Sequence, residues 1–187
     1  MPIARRRALL SLAVGVLAGR GAGAVVTDGS GLPAQPWFLQ SFLDLREDLE
    51  AAAAAGKRLV ILIEQRGCPF CKDLHEINFA DPAVTEWIRP RFEILQLDLH
   101  GAREVTDLDG SKYEERAFAR RIAGQMTPVA IFLPADPAEA LGRPAHQVAV
   151  AKMPGYLPPR EFLLLFRYVH EEAYRREGFE SYVRRQV

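Results

Sequence analysis

The sequence predicts an α/β domain in which strands alternate with helices around one sheet. Three observations carry that prediction. A continuous apolar run, Leu59-Val60-Ile61-Leu62-Ile63, has the length and composition of a strand buried on both faces. Apolar residues at helical spacing stand on either side of it: Phe42, Leu45 and Leu49 before, and Phe162, Leu165, Phe166 and Val169 near the end. Gly and Pro residues, among them Gly56, Pro90, Pro128 and Pro154-Gly155, cut the chain into short units.

Each element has its own signal. Residues 25–36 are rich in Gly, Pro and small side chains and read as a linker, leaving 37–187 as one domain. Phe38 to Ala55 reads as a helix because its alanine run has high helix propensity, and Gly56 is a suitable stop. Arg58 to Glu64 is the buried strand. Pro69 to Asn78 reads as a helix with Cys71 and Leu74 on one face. Asp81 can cap a further helix whose first position, Pro82, needs no N–H. Phe92 to Leu99 reads as a second strand, Lys112 to Ala123 as a charged helix, Val129 to Leu133 as a third strand and Gln147 to Met153 as a fourth. Glu161 to Tyr174 reads as an amphipathic helix, and Gly178 separates it from a basic tail helix.

The chain has 187 residues, 24 basic and 24 acidic side chains and two cysteines. That length suits one domain with extensions. Two cysteines exclude a disulfide-stapled scaffold and an all-cysteine zinc site. The balanced charge argues against nucleic acid as a partner.

Residues 1–24 read as a cleavable signal peptide. Arg5, Arg6 and Arg7 precede the short apolar run Ala8 to Gly19, and Ala22-Gly23-Ala24 is a small-residue cleavage pattern. The run falls short of the roughly 20 apolar residues a membrane span needs; an uncleaved anchor is the alternative. Removing those 24 from 187 residues leaves 163. Removing their four arginines leaves 20 basic against 24 acidic groups, a net charge of −4. The expected location is the periplasm, where thiols become oxidised unless electrons are supplied.

The chemistry is expected at Cys68-Pro69-Phe70-Cys71, where the buried strand hands over to a helix. Unpaired N–H groups and the helix dipole at a helix start favour a thiolate, which is the nucleophile of disulfide exchange. The spacing lets a second thiol resolve a mixed disulfide formed by the first. Cys68 is therefore assigned as the attacking thiol and Cys71, one turn deeper, as the resolving thiol. Pro69 and Phe70 are the motif spacers. A structural disulfide is the competing reading, but a bridge between such near neighbours closes almost no loop. A metal site is another, but no second ligand pair accompanies the cysteines. No metal and no cofactor beyond the redox-active cysteine pair are expected. His75, four residues after Cys71, reads as a surface or helix-side residue, with tuning of Cys68 as its alternative role. The remaining histidines are scattered. Thr127-Pro128 lies directly ahead of an apolar strand; taken alone it reads as an ordinary trans loop proline.

The order strand, C-x-x-C, helix, strand, helix, Thr-Pro, strand, strand, helix over residues 57–174 resembles the thioredoxin superfamily. Four stretches are more specific: Cys68-Pro69-Phe70-Cys71-Lys72, Phe79-Ala80-Asp81-Pro82-Ala83-Val84, Thr127-Pro128 and Pro154-Gly155-Tyr156. They resemble periplasmic reductase-type thioredoxins, such as the DsbD C-terminal domain and the SoxW-type thioredoxins of bacterial sulfur oxidation. Glu64 to Cys71 and Gly101 to Asp107 add to the second likeness.

The resemblance implies a thioredoxin fold: a central mixed sheet of four to five strands flanked by helices, with an extra N-terminal helix and a C-terminal helical extension. It implies Pro128 as a cis-proline and Thr127 as a partner-docking position. It implies a monomeric thiol–disulfide oxidoreductase that reduces disulfides or sulfur adducts of exported proteins. Its electrons would come from a membrane thiol transporter of DsbD or CcdA type. A disulfide oxidase or isomerase of the same fold, and a non-catalytic thioredoxin-like binding module, are the alternatives.

The chain departs from thioredoxins in several places. Leu62 stands where a thioredoxin has its buried aspartate, Gly67 replaces the tryptophan before the first cysteine, and Glu64 is the nearest acid. The proton-transfer residue is therefore unassigned by resemblance. Residues 101–111 lengthen the path to Thr127. They raise the hypothesis of a hairpin flap that selects partners, and Asp107, Asp109 and Gly110 suit a turn better than a calcium loop. Arg175, Arg176, Arg184 and Arg185 face nearby glutamates and read as an ion-paired helix surface.

Overall fold

The computed structural model describes residues 26–27 and 31–186, so the signal-peptide expectation for 1–24 lies outside the described residues. At its centre is the apolar run. The strand β3, Arg58–Glu64, is buried along its whole length because helices cover both faces of the sheet it occupies. Two short strands precede it, β1 (Val26–Thr27) and β2 (Pro33–Ala34), paired antiparallel.

Beside β3 lie β4 (Phe92–Asp98), parallel to it, and β7 (Val129–Phe132), antiparallel. The fourth strand, β8 (Ala151–Pro154), runs antiparallel on β7, giving the order β4-β3-β7-β8. The mixed four-stranded sheet is the one expected. Alternation sorts β3 between two cores. Leu59, Ile61 and Ile63 face helices α1 (Leu45–Ala54) and α4 (Glu115–Ala123). Val60 and Leu62 face the side formed by the helix after the cysteines, α3 (Pro82–Ile88) and α6 (Pro159–His170). The crossover between parallel strands β3 and β4 therefore carries the cysteine motif.

The first helix is shorter than its pattern predicts. It begins at Leu45, with Asp44 accepting the Arg46 N–H at 3.0 Å, and Phe42 is fully exposed. The preceding backbone is engaged elsewhere. The Leu43 carbonyl accepts the Thr106 N–H at 2.8 Å, Asp44 bridges to Thr106, and Leu43 takes a positive φ of 65°. Residues 31–36, which read as linker, lie on the domain from Leu32 onward, with Leu32 and Gln35 both buried.

Two further expectations are corrected. Lys112–Glu114 is a strand, β6, paired antiparallel with β5 (Glu104–Thr106), and the helix starts only at Glu115. Gln147 to Met153 is not one strand: residues 145–148 form the short helix α5 and β8 starts at Ala151. The cause lies 38 residues away, where Asp107 Oδ1 accepts the Ala145 N–H at 2.9 Å. Residues 101–111 supply one strand and the turn of a hairpin that β6 completes, and it is an anchored one: Val105, Asp107 and Leu108 are buried and contribute to the interior.

The C-terminal extension, α7 (Phe179–Arg185), folds back on α6, with Tyr182 buried and the Tyr168 hydroxyl donating to the Glu177 carbonyl at 2.7 Å. Its arginines are ion-paired: Arg185 with Glu177, Arg184 with Glu180, and Arg175 with both Glu139 and Glu172. Among the described residues no helix is long and apolar enough to cross a membrane.

Candidate active site

Strand β3 ends at Glu64, and four residues later Cys68 caps α2 (Pro69–Asp73), which runs on as a π-helical turn through Asn78. Gly67 eases the turn, since its φ of +74° lies in the left-handed region that residues with a Cβ rarely adopt. Cys68 itself is extended, and its Sγ accepts the Cys71 N–H at 3.1 Å. Pro69 occupies the first helical position, where its missing N–H goes unneeded.

Cys68 and Cys71 are joined as a disulfide, with their Cα atoms 5.2 Å apart. Cys68 keeps 9% of its surface accessible and Cys71 none. One sulfur of the pair is therefore at the surface and the other is enclosed. The Thr127–Pro128 peptide is cis, unlike the trans form read from the residues alone and as the resemblance implies. The Thr127 carbonyl oxygen lies 3.7 Å from Cys68 Sγ, so the two predicted segments meet at one point. The Pro128 carbonyl accepts the Gly155 N–H at 2.9 Å, which ties this loop to the Pro154-Gly155-Tyr156 turn. Phe70 is more than half exposed and stacks on Tyr156.

A groove of about 460 Å³ opens beside Cys68, walled by Gly31 and Pro33 on one side and by Gln65, Pro69 and Lys72 on the other. His100, just before the 101–111 segment, stands 3.0 Å from the Gln65 side chain.

Beneath the cysteines is a network the sequence reading placed differently. His75 is not a surface residue; it has no exposure, because Cys71, Leu74, His75 and Asn78 all lie on the buried face of the helix. Its Nδ1 lies 3.2 Å from the Gln35 amide nitrogen, and its Nε2 lies 2.9 Å from Glu64 Oε2. Gln96 donates to the same carboxylate oxygen at 2.6 Å and to the Pro33 carbonyl at 2.6 Å. Glu64 is fully buried, and its Oε1 accepts no hydrogen bond among the described residues. His75 was visible from its spacing of four from Cys71; Glu64 was visible as an acid closing an apolar strand. Their pairing, and the parts of Gln35 and Gln96, had no local signal. Among the described residues no cluster of three or more His, Cys, Asp or Glu is placed to hold a metal ion.

Comparison with known proteins places this geometry. A thioredoxin-like domain family matches residues 45–170. No curated protein matches the chain. Among solved structures, a thioredoxin-fold protein from Helicobacter pylori aligns with a TM-score of 0.51 at 18% identity, covering 69% of this chain and 83% of that one. A thioredoxin from Thermus thermophilus aligns with a TM-score of 0.50 at 24% identity, covering 67% and 83%. The oxidised DsbD C-terminal domain from Neisseria meningitidis aligns with a TM-score of 0.42 at 12% identity, covering 71% and 98%. The sheet order, the cysteine pair at the start of α2 and a family match spanning most of the chain agree: this protein belongs to the thioredoxin-like family.

Proposed function

We propose that the protein is an exported thiol–disulfide oxidoreductase that reduces disulfides or sulfur adducts on other exported proteins. The observation that carries the reading is the unequal burial of Cys68 and Cys71 within one disulfide at a helix start. In the reduced protein the Cys68 thiolate attacks a partner disulfide, and one partner sulfur leaves with the electron pair. Cys71 then attacks Cys68 Sγ, the mixed disulfide breaks, and the second partner sulfur leaves as a thiolate that solvent protonates. Two electrons pass from the dithiol to the partner, and Cys68–Cys71 closes as a disulfide.

The Cys71 N–H aimed at Cys68 Sγ supports the first step, since a donor to the thiolate stabilises it. The groove beside Cys68 and the exposed Phe70 suit an extended partner segment with apolar side chains. The Thr127 carbonyl, 3.7 Å from Cys68 Sγ, is placed to accept a backbone N–H from that segment. Electrons would be replaced by a membrane dithiol carrier acting on the oxidised pair.

The test is insulin reduction with dithiothreitol as electron source, followed by equilibration of the pair against thiol buffers. A rate well above background and a potential near the reductase range, about −270 mV, are expected. No acceleration would leave a binding module. A potential near that of strong oxidants, about −120 mV, would assign the opposite direction.

A further inference from the structure

Cys68 follows the end of β3 and has a different neighbour on each flank. The sheet order β4-β3-β7-β8 puts β7 on one flank, so Thr127 and Pro128, which lead into β7, border Cys68 there. On the other flank is β4, and against it is held the N-terminal arm, residues 31–35. Gln96 of β4 donates to the Pro33 carbonyl at 2.6 Å. Leu32 and Gln35 are buried, the Gln35 amide nitrogen lies 3.2 Å from His75 Nδ1, and the Arg66 side chain runs along Gly31. The arm is thereby fixed to the domain. The groove of about 460 Å³ opens on this flank, with Gly31 and Pro33 as its arm side and Cys68 itself in its lining. The family match begins only at residue 45, so this wall is supplied by sequence the match does not cover.

The groove is apolar in character. Gly31 and Gly67 bring no side chains to it, and Pro33 and Pro69 bring rings without an N–H. The Pro33 carbonyl is taken by Gln96, and the Gln65 side chain stands 3.0 Å from His100. Charge is confined to the rim, where the exposed Lys72 and Glu76 pair with each other at 3.7 Å. A polar group entering this space finds little to replace its lost water, whereas an apolar side chain gains by leaving water. The volume lies within the range of sites that hold a ligand.

We propose that the arm is a second partner-recognition wall, and that its groove takes a large apolar side chain within two residues of the cysteine under attack, on the flank of Cys68 that Thr127 does not border. The assignment rests on the oxidoreductase reading and divides its partner contact in two. The partner segment crosses Cys68 with its own cysteine in the middle. On one flank its backbone meets the Thr127 carbonyl, and on the other its side chain enters the groove. Pro33 is the specificity-determining residue, because its ring is the side chain the arm brings to the lining and the Gln96 bond to its carbonyl holds it there.

The test uses short peptides, each holding one cysteine as a mixed disulfide with thionitrobenzoate. The reduced protein attacks the peptide sulfur and the coloured thiolate leaves, so its release follows the attack. One series carries two leucines, two serines or two lysines directly before the cysteine, and a second series carries them directly after it. The readout is the leucine-to-serine rate ratio for each protein, in which any loss of active protein cancels. In wild type this ratio should reach about tenfold in at least one series. Pro33→Ala, which keeps the carbonyl that Gln96 needs, should lower that ratio to about threefold or less. Pro33→Asp, which puts a carboxylate on the wall, should reverse the order and favour lysine over leucine in the same series. Should Pro33→Asp fail to fold, the ratio in Pro33→Ala decides. A wild-type ratio below about twofold in both series, or a wild-type ratio retained in the Pro33 variants, would overturn the proposal. Wild-type protein that releases no thiolate from any peptide would instead refute the exchange reading, so the two failures are distinct.

Discussion

A single methyl group at Gly101 should unsettle the segment that borders the site. A Cβ there would fall within the Glu115 carboxylate and 2.9 Å from its Cγ. That carboxylate cannot step aside cheaply. It is buried, it accepts the Asp98 N–H at 2.7 Å, and Arg103 donates to it from Nε at 2.8 Å and from a second nitrogen. Displacing it leaves a buried backbone N–H unpaired, a loss of about 1–3 kcal/mol, and weakens a bond to a charged group worth about 1.5–3 kcal/mol. Half of the Arg103 side chain is in solvent, so its share is discounted. Gly101→Ala should therefore destabilise by about 2–4 kcal/mol, or about 5–15 °C in Tm for a domain of this size. Urea unfolding should give a lower midpoint at an unchanged slope. The same substitution in a Glu115→Ala background should cost little, because the obstructing group is gone. A cost in wild type below about 0.5 kcal/mol, or an equal cost in both backgrounds, would refute the reasoning.

The corrected start of the first helix separates two phenylalanines. Phe42→Ala should leave stability within about 0.5 kcal/mol because its ring is wholly in solvent, whereas Phe38→Ala, at 5% exposure, should cost about 3 kcal/mol or more by urea unfolding. Asp107 gives a pH signature. Burial pushes its carboxyl up, against the pull of the Ala145 and Leu108 N–H groups. The folded state therefore holds this proton more tightly than the unfolded chain. The contribution is fully present below the ordinary aspartate value and is lost as pH rises through the folded one. Asp48, also raised by burial, adds in the same window. Unfolding free energy measured against pH should show this fall, and Asp107→Asn, which keeps the acceptor for both N–H groups, should make it shallower; an unchanged slope would count against it.

The sheet and the cysteine motif were legible because their signals are local. A short β-branched apolar run bounded by turn residues suits a central strand, and a C-x-x-C between that strand and a helical pattern sits where the helix begins. Asp81 and Pro82 marked their helix start for the same reason. Local pattern failed where a distant residue decides. The reach of Asp107 to Ala145 turns an expected strand into a short helix, and the bridge from Leu43 and Asp44 to Thr106 holds Phe42 out of the first one. Lys112 to Glu114 carry helix-forming composition but are taken by their partner strand. His75 was misplaced because an acid–base pair inside the core depends on Glu64, eleven residues earlier, and on Gln35 and Gln96 from two other segments. Burial of that network is legible only once the strands are in register.

The claim that Cys68 attacks and Cys71 resolves is tested most directly by trapping. Reduced Cys71→Ser and Cys68→Ser proteins would each be mixed with insulin, quenched with acid and read by intact mass and non-reducing electrophoresis. Cys71→Ser should accumulate a mixed disulfide through Cys68, since the accessible sulfur remains and its resolving partner is gone. Cys68→Ser should accumulate none, because Cys71 has no accessible surface. Equal trapping by both variants, or by neither, would contradict the account.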